Sequence, residues 1–183
     1  MILSDKTILQ EMEKGNVIIS PFVEKHINPN SVDLTLAPEF KVYQQGILDS
    51  RKPNPTIDLV IPEHGFLLEP GEVYLYAVNE RIGVKGNIRA KVEGKSSLGR
   101  LGLFIHVTAG FIDTGFEGSL VLELVATRPI MIYPNMKICQ IEFARVEGEI
   151  NETYDQKAGS KYHNQTGVQE SLMHKNFTDG KDS

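Results

Sequence analysis

The apolar positions along this chain change period once, near its start, and that change sets the architecture to expect. Between Asp5 and Lys14, Ile8, Leu9 and Met12 fall on one face at helical spacing, Ser4 is placed to cap the first turn and Gly15 marks a stop. The pattern predicts a single short amphipathic helix. After it, short runs rich in branched and aromatic residues follow one another, separated by Pro, Gly, Asn or Asp. Strands are expected at Val17 to Ile19, Val32 to Leu36, Phe40 to Tyr43, Ile57 to Ile61 and Val73 to Val78. Four more are expected at Ile88 to Val92, Leu103 to Val107, Leu120 to Val125 and Lys137 to Phe143. Ser96 to Leu101 reads as one helical turn. Many short strands without alternating helices argue for a sandwich or barrel. From Glu147 the composition becomes polar and glycine-containing, which predicts an extended arm after a single β domain over 1–147.

Composition narrows the class. At 183 residues one domain is the expectation, and a chain of that length buries roughly two thirds of its unfolded surface. No apolar run reaches the roughly twenty residues of a membrane span, and Met1 to Gln10 lacks the layout of a signal peptide, so a soluble, cytoplasmic protein is expected. The one cysteine, Cys139, allows no internal disulfide and fits a reducing compartment. A formal charge of −5 argues against a broad surface for nucleic-acid polymers or acidic lipid and leaves room for a local basic pocket.

Candidate chemistry gathers in the thirty residues from Gly94 to Glu123. A small-residue turn carries Ser96, Ser97 and Arg100, a glycine-punctuated loop carries Asp113, and Glu123 interrupts the apolar run Leu120 to Val125. Amides beside glycine approach phosphate closely, and arginine offers a fixed fork of donors to its oxygens. A carboxylate among apolar neighbours is expected to be partly desolvated, which raises its pKa and suits it to moving protons near neutral pH. Each feature also has a plainer reading: a salt-bridged or edge-exposed glutamate, a helix cap with a solvated arginine, an Asp-Thr-Gly turn. Together they make a nucleotide-handling set.

Three separated segments, GKSSLGRLGL, TAGFIDTGFEGSLVLEL and GSKYHNQTG, resemble in order the signature, central strand and closing tail of the dCTP deaminases of the trimeric dUTPase-like fold. The likeness runs from MILSDKTI through INPNSVDLTL to about Gln169. It implies a mainly β, distorted barrel or jelly-roll sandwich with a short N-terminal helix and a C-terminal arm, 148–183, closing over the triphosphate. It also implies a homotrimer with sites at subunit boundaries, acting on dCTP and dUTP. Glu123 would carry protons, with Ser96, Arg100 and the carbonyl of Ala109 placing the water and polarising the ring. Asp113 would meet the deoxyribose and orient a second water. Lys95, Ser97, Val121, Leu122, Gln140, Tyr154, Lys161 and Gln165 would bind substrate.

Zinc-dependent deaminases draw their water from metal held by an H-x-E helix and a P-C-x-x-C pair. None of the five histidines here is followed two residues later by Glu, and one cysteine cannot form the pair. The expectation is zinc-free chemistry at the base, with Mg²⁺ arriving on the triphosphate. Relatives that stop at dUTP carry His-Arg where this chain has Gly110-Phe111, while those that continue to dUMP carry Gly and an aromatic, with Gln at the position of Gln140. The resemblance therefore implies both reactions. Alternatives are deamination alone, dUTP hydrolysis alone, or a catalytically silent nucleotide-binding module.

Overall fold

In the computed structural model, residues 1–106 and 108–178 are described. Helix α1 (Asp5–Glu13) starts at Ser4, whose hydroxyl accepts from the Thr7 amide, and buries Ile8. The strands are β1 (Val17–Ser20), β2 (Ile27–Asn28), β3 (Ser31–Tyr43), β4 (Thr56–Val60), β5 (Phe66–Leu68) and β6 (Tyr74–Val84). They continue with β7 (Ile88–Gly94), β8 (Leu103–Ile105), β9 (Phe111–Ile112), β10 (Glu117–Ala126), β11 (Ile130–Ile132) and β12 (Lys137–Arg145). A short helix α2 (Ser96–Gly99) follows β7, and α3 (Lys175–Thr178) lies in the arm. No helix among the described residues is long and apolar enough to cross a membrane.

The main sheet runs β8-β10-β6-β3-β12-β7-β9, with β1 on β6, β2 and β4 on β3, and a separate β5–β11 pair. Strand β3 explains why this sheet curls. Its first residues, Val32 to Thr35, pair with β12, whereas Leu36 and Phe40 to Val42 pair with β6, and the register slips between Leu36 and Phe40 around Ala37-Pro38. One long strand thus serves both halves of the sheet, turning the corner at a bulge. The two runs expected at Val32–Leu36 and Phe40–Tyr43 are this single strand, because the bulge interrupts pairing without ending it. Four short strands, β2, β5, β9 and β11, lack the length to show a period and were not expected from the pattern. The expected strand at Leu103 ends at Ile105, and Val107 lies outside the described residues.

Strand β6 is buried on both faces, which accounts for its nearly unbroken apolar start. Tyr76 stacks on Phe40 with ring centroids 4.5 Å apart, and Leu34, Leu36, Leu122, Leu124 and Phe143 fill the interior around them. Each such side chain contributes about 1.5–3 kcal/mol by leaving water. Strand β10 alternates strictly: Leu120, Leu122, Leu124 and Ala126 face this core, and Ser119, Val121, Glu123 and Val125 face the opposite side. That alternation decides where the chemistry sits.

Candidate active site

Glu123 stands on the open face of β10, opposite Leu75 of β6 and beside the end of β8. The apolar residues around it in sequence are mostly the other face of the strand, so its side chain keeps 36% exposure. At the end of β8 the His106 amide donates to the Glu123 carbonyl at 3.2 Å, and the residue then takes a left-handed conformation, φ 54°, that turns the chain away from the sheet. Its imidazole is consequently held over the carboxylate: Nδ1 lies 2.8 Å from Glu123 Oε2, and Nε2 lies 2.6 Å from the Ala109 carbonyl oxygen.

With both ring nitrogens facing acceptors, the environment favours imidazolium. Burial works against the charged ring, but the Glu123 carboxylate and the Ala109 carbonyl outweigh it and hold the His106 pKa above its ordinary value. Nδ1 and Oε2 are too poorly aligned to count as a hydrogen bond, and neither atom has another hydrogen-bond partner among the described residues. The pair is a close ion contact, with the carboxylate free to engage a ligand. His106, set between apolar Ile105 and Val107, gave no signal in the sequence.

A cavity of about 420 Å³ opens at this pair. Glu123, Val121 and Asp113 line it, with Ala109, Phe111, Leu120 and Phe116, so residues expected from three parts of the chain do converge. The arm supplies the rest of the wall through Tyr154, Tyr162, Gln165, Gln169, Glu170 and Ser171. It is stitched down by two main-chain bonds, Ser119 N to Gln165 O at 2.9 Å and Tyr154 N to Thr114 O at 2.8 Å, and by the Gln165 side chain, whose Nε2 donates to Ser119 O at 2.6 Å. Gly118 permits this approach, since a Cβ there would sit 3.1 Å from the Gln165 carbonyl. Further along, Lys41 Nζ holds Glu170 at 3.1 Å and the Ser171 amide donates to Tyr43 Oη at 3.1 Å.

Other expected residues lie elsewhere. Lys95, Ser96, Ser97 and Gln140 line a second cavity, of about 510 Å³, and His106 borders both. Arg100 is exposed and lines neither, and Lys161 is half-buried outside both. The Leu122 side chain is fully buried in the core, because alternation sends it opposite to Val121 and Glu123, so only its backbone is left to meet a ligand. Gly110 lies against Val92, whose amide donates to its carbonyl at 2.9 Å. Within one chain, then, the proton-carrying candidate shares its cavity with Ala109, while Ser96 stands on the other side of His106. Among the described residues, no lysine or arginine lines the cavity that holds Glu123. Its chemistry suits an uncharged polar ring and a sugar: apolar and aromatic walls, carboxylates at 113 and 123 beside the Lys41-paired Glu170, and an imidazolium behind Glu123.

A family model described as dCTP deaminase-like matches residues 2–146. A dCTP deaminase, dUMP-forming, of Clostridium beijerinckii is 51% identical over 177 residues, covering 97% of this chain and 99% of that protein. One of the same description from Hathewaya histolytica is 46% identical over the same share of this chain. Among solved structures, 2'-deoxycytidine 5'-triphosphate deaminase from Agrobacterium tumefaciens superposes with a TM-score of 0.63 at 24% identity, over 82% of this chain and 50% of that one. The chain thus spans half the length of that solved structure and shares its fold.

Proposed function

This chain belongs to the dCTP deaminase-like family, and we propose that it is a dUMP-forming enzyme, converting dCTP and two waters to dUMP, ammonia and diphosphate. The observation that carries the reading is the placement of Glu123, on the wall of a cavity shared with Asp113 and backed by His106. In the first step water adds to C4 of the cytosine ring. Glu123 takes one proton from that water and passes it to N3 as the C4–O bond forms. It then takes the remaining hydroxyl proton and passes it to the amino group as the C4–N bond breaks, so that ammonia leaves and the uracil ring keeps its N3 proton. His106, 2.8 Å from Glu123 Oε2, holds the carboxylate in place. The Ala109 carbonyl, although it already accepts from His106, has a second lone pair with which to hold the water. In the second step Asp113 orients another water toward the α-phosphorus, and diphosphate departs.

Among the described residues the cavity around Glu123 has no lysine or arginine, while Ser96 and Lys95 face a different one. That separation supports a closed homotrimer in which the Ser96 and Arg100 of one subunit complete the Glu123 cavity of its neighbour. The arm, through Tyr154, Lys161 and Gln165, is the part that closes on the triphosphate. Mg²⁺ enters with that triphosphate, neutralising its charge. The donor set fits this route, since among the described residues no three His, Cys, Asp or Glu side chains converge, and Mg²⁺ favours phosphate oxygens and water. The reading places the protein in the cytoplasm, where its lone thiol, Cys139, stays reduced.

Product analysis tests the whole. With Mg²⁺ present, dUMP from both dCTP and dUTP is the expected result. Accumulating dUTP would mean a deaminase only, inert dCTP with cleaved dUTP a diphosphatase only, and binding of both without turnover a silent module.

A further inference from the structure

Behind the wall of the second cavity, joined to it through Lys95, lies an ion arrangement that the reaction as described does not use. Lys95 Nζ lies 2.5 Å from Asp33 Oδ1, and Lys137 Nζ lies 2.9 Å from Asp33 Oδ2, with Asn28 Nδ2 adding a hydrogen bond to Oδ1 at 3.2 Å. The three charged groups come from β3, from the residue after β7 and from the start of β12. The strand register explains the meeting: Gln140 of β12 pairs with both Asp33 and Glu93, which sets these three strand ends side by side. Asp33 is 6% exposed, Lys95 23% and Lys137 41%, so the carboxylate is the hidden member and the ammoniums reach outward. Burial disfavours the Asp33 charge, yet the two lysines overcome it and hold its carboxyl below the usual range.

The charge count matters. A buried one-to-one pair of Lys95 with Asp33 would be neutral as seen from the cavity, whereas two ammoniums on one carboxylate leave a net positive charge. Of these three groups only Lys95 lines the cavity, beside Ser96, Ser97 and Gln140. Lysine has a flexible stem with a strongly hydrated head, so it binds phosphate oxygens well only when something else fixes it. We propose that Asp33 and Lys137 are positioning residues for phosphate recognition: Asp33 fixes the Lys95 ammonium at the cavity wall, and Lys137 restores the positive charge that Asp33 would otherwise cancel. This rests on the reading above, in which nucleotide phosphates come to Lys95.

Binding of inorganic tripolyphosphate to the full chain, followed by calorimetry, separates this from a purely structural role. Lys137→Met leaves every cavity-lining group intact and is expected to weaken tripolyphosphate on the order of tenfold, with Lys137→Arg restoring it. KM for dCTP should rise by a similar factor while kcat holds. Asp33→Asn adds net positive charge, so simple attraction would tighten tripolyphosphate, whereas loss of positioning loosens it; looser binding is expected. Wild-type affinity in Lys137→Met, or tighter binding in Asp33→Asn, would overturn the assignment. So would a wild-type chain that does not bind tripolyphosphate, and its normal conversion of dCTP would show that the proposed function stands without it. Should Asp33→Asn fail to fold, the Lys137 pair decides.

Discussion

His106 and Glu123 touch across the end of two neighbouring strands, Nδ1 to Oε2 at 2.8 Å, while the far side of the same ring is held by the Ala109 carbonyl. The contact orders the loop after β8 as well as the carboxylate. Because the folded imidazole has a raised pKa, its charge stabilises the fold fully below the unfolded value near 6.5 and ceases to do so as pH rises through the folded value. A His106→Gln variant should therefore lose stability most at pH 5 to 6 and approach wild type above pH 8. Urea denaturation at several pH values checks this, and a gap that widens toward high pH would reverse the assigned sign.

Gly118 governs how closely the arm lies on β10. A methyl group there would press on the Gln165 backbone, which has no flexible end to yield. Gly118→Val should lift the arm and raise KM for dCTP about tenfold or more, with circular dichroism of the β core unchanged. Truncation after Gly148 should act in the same direction and more strongly.

Between the two chemistries, Gly110 and Phe111 are the residues to exchange. Changing them to His and Arg should preserve dCTP deamination and stop diphosphate release, so that dUTP accumulates. The structure adds two considerations. A Cβ at 110 would stand 3.0 Å from the Val92 carbonyl, and Phe111 lies under the Arg89 guanidinium at 5.3 Å, where a second arginine would be repelled. Gly110→Ala serves as the control for loop displacement, and should retain more dUTP cleavage than the double variant.

Glu11 ties α1 to the sheet. Its buried carboxylate accepts from Asn16, Lys14 and Arg145 at 2.7–2.9 Å, and these bonds, Asn16 foremost, hold its pKa at about 2 against the cost of burial. That stabilisation is complete above the unfolded value near 4.5 and disappears as pH falls toward 2. Glu11→Gln should cost about 1–3 kcal/mol at pH 7, with the difference from wild type shrinking between pH 4.5 and 2.

Much of this was legible in the sequence because periodicity reports burial. The helix at Asp5, the strand carrying Glu123 and the polar arm all follow from it. Glu123 itself was found as a charge inside an apolar run, although the reason differs from the simplest one: the run alternates, and Leu122 and Leu124 are core while Glu123 looks outward. What periodicity does not encode is the meeting of distant segments. His106 acquires its role from a left-handed turn, and Glu170 and Ser171 are held at the cavity by Lys41 and Tyr43 on β3. The three-way contact of Asp33, Lys95 and Lys137 depends on a strand register that none of their local sequences specifies.

The most direct test of the central claim, that the acid at position 123 moves the proton in deamination, is Glu123→Gln assayed on both substrates. Deamination of dCTP should fall roughly a hundred- to ten-thousand-fold, the range for losing a general acid or base, while dUTP hydrolysis through Asp113 suffers far less. Equal loss of both activities in a variant that remains folded, or undiminished deamination, would contradict the account.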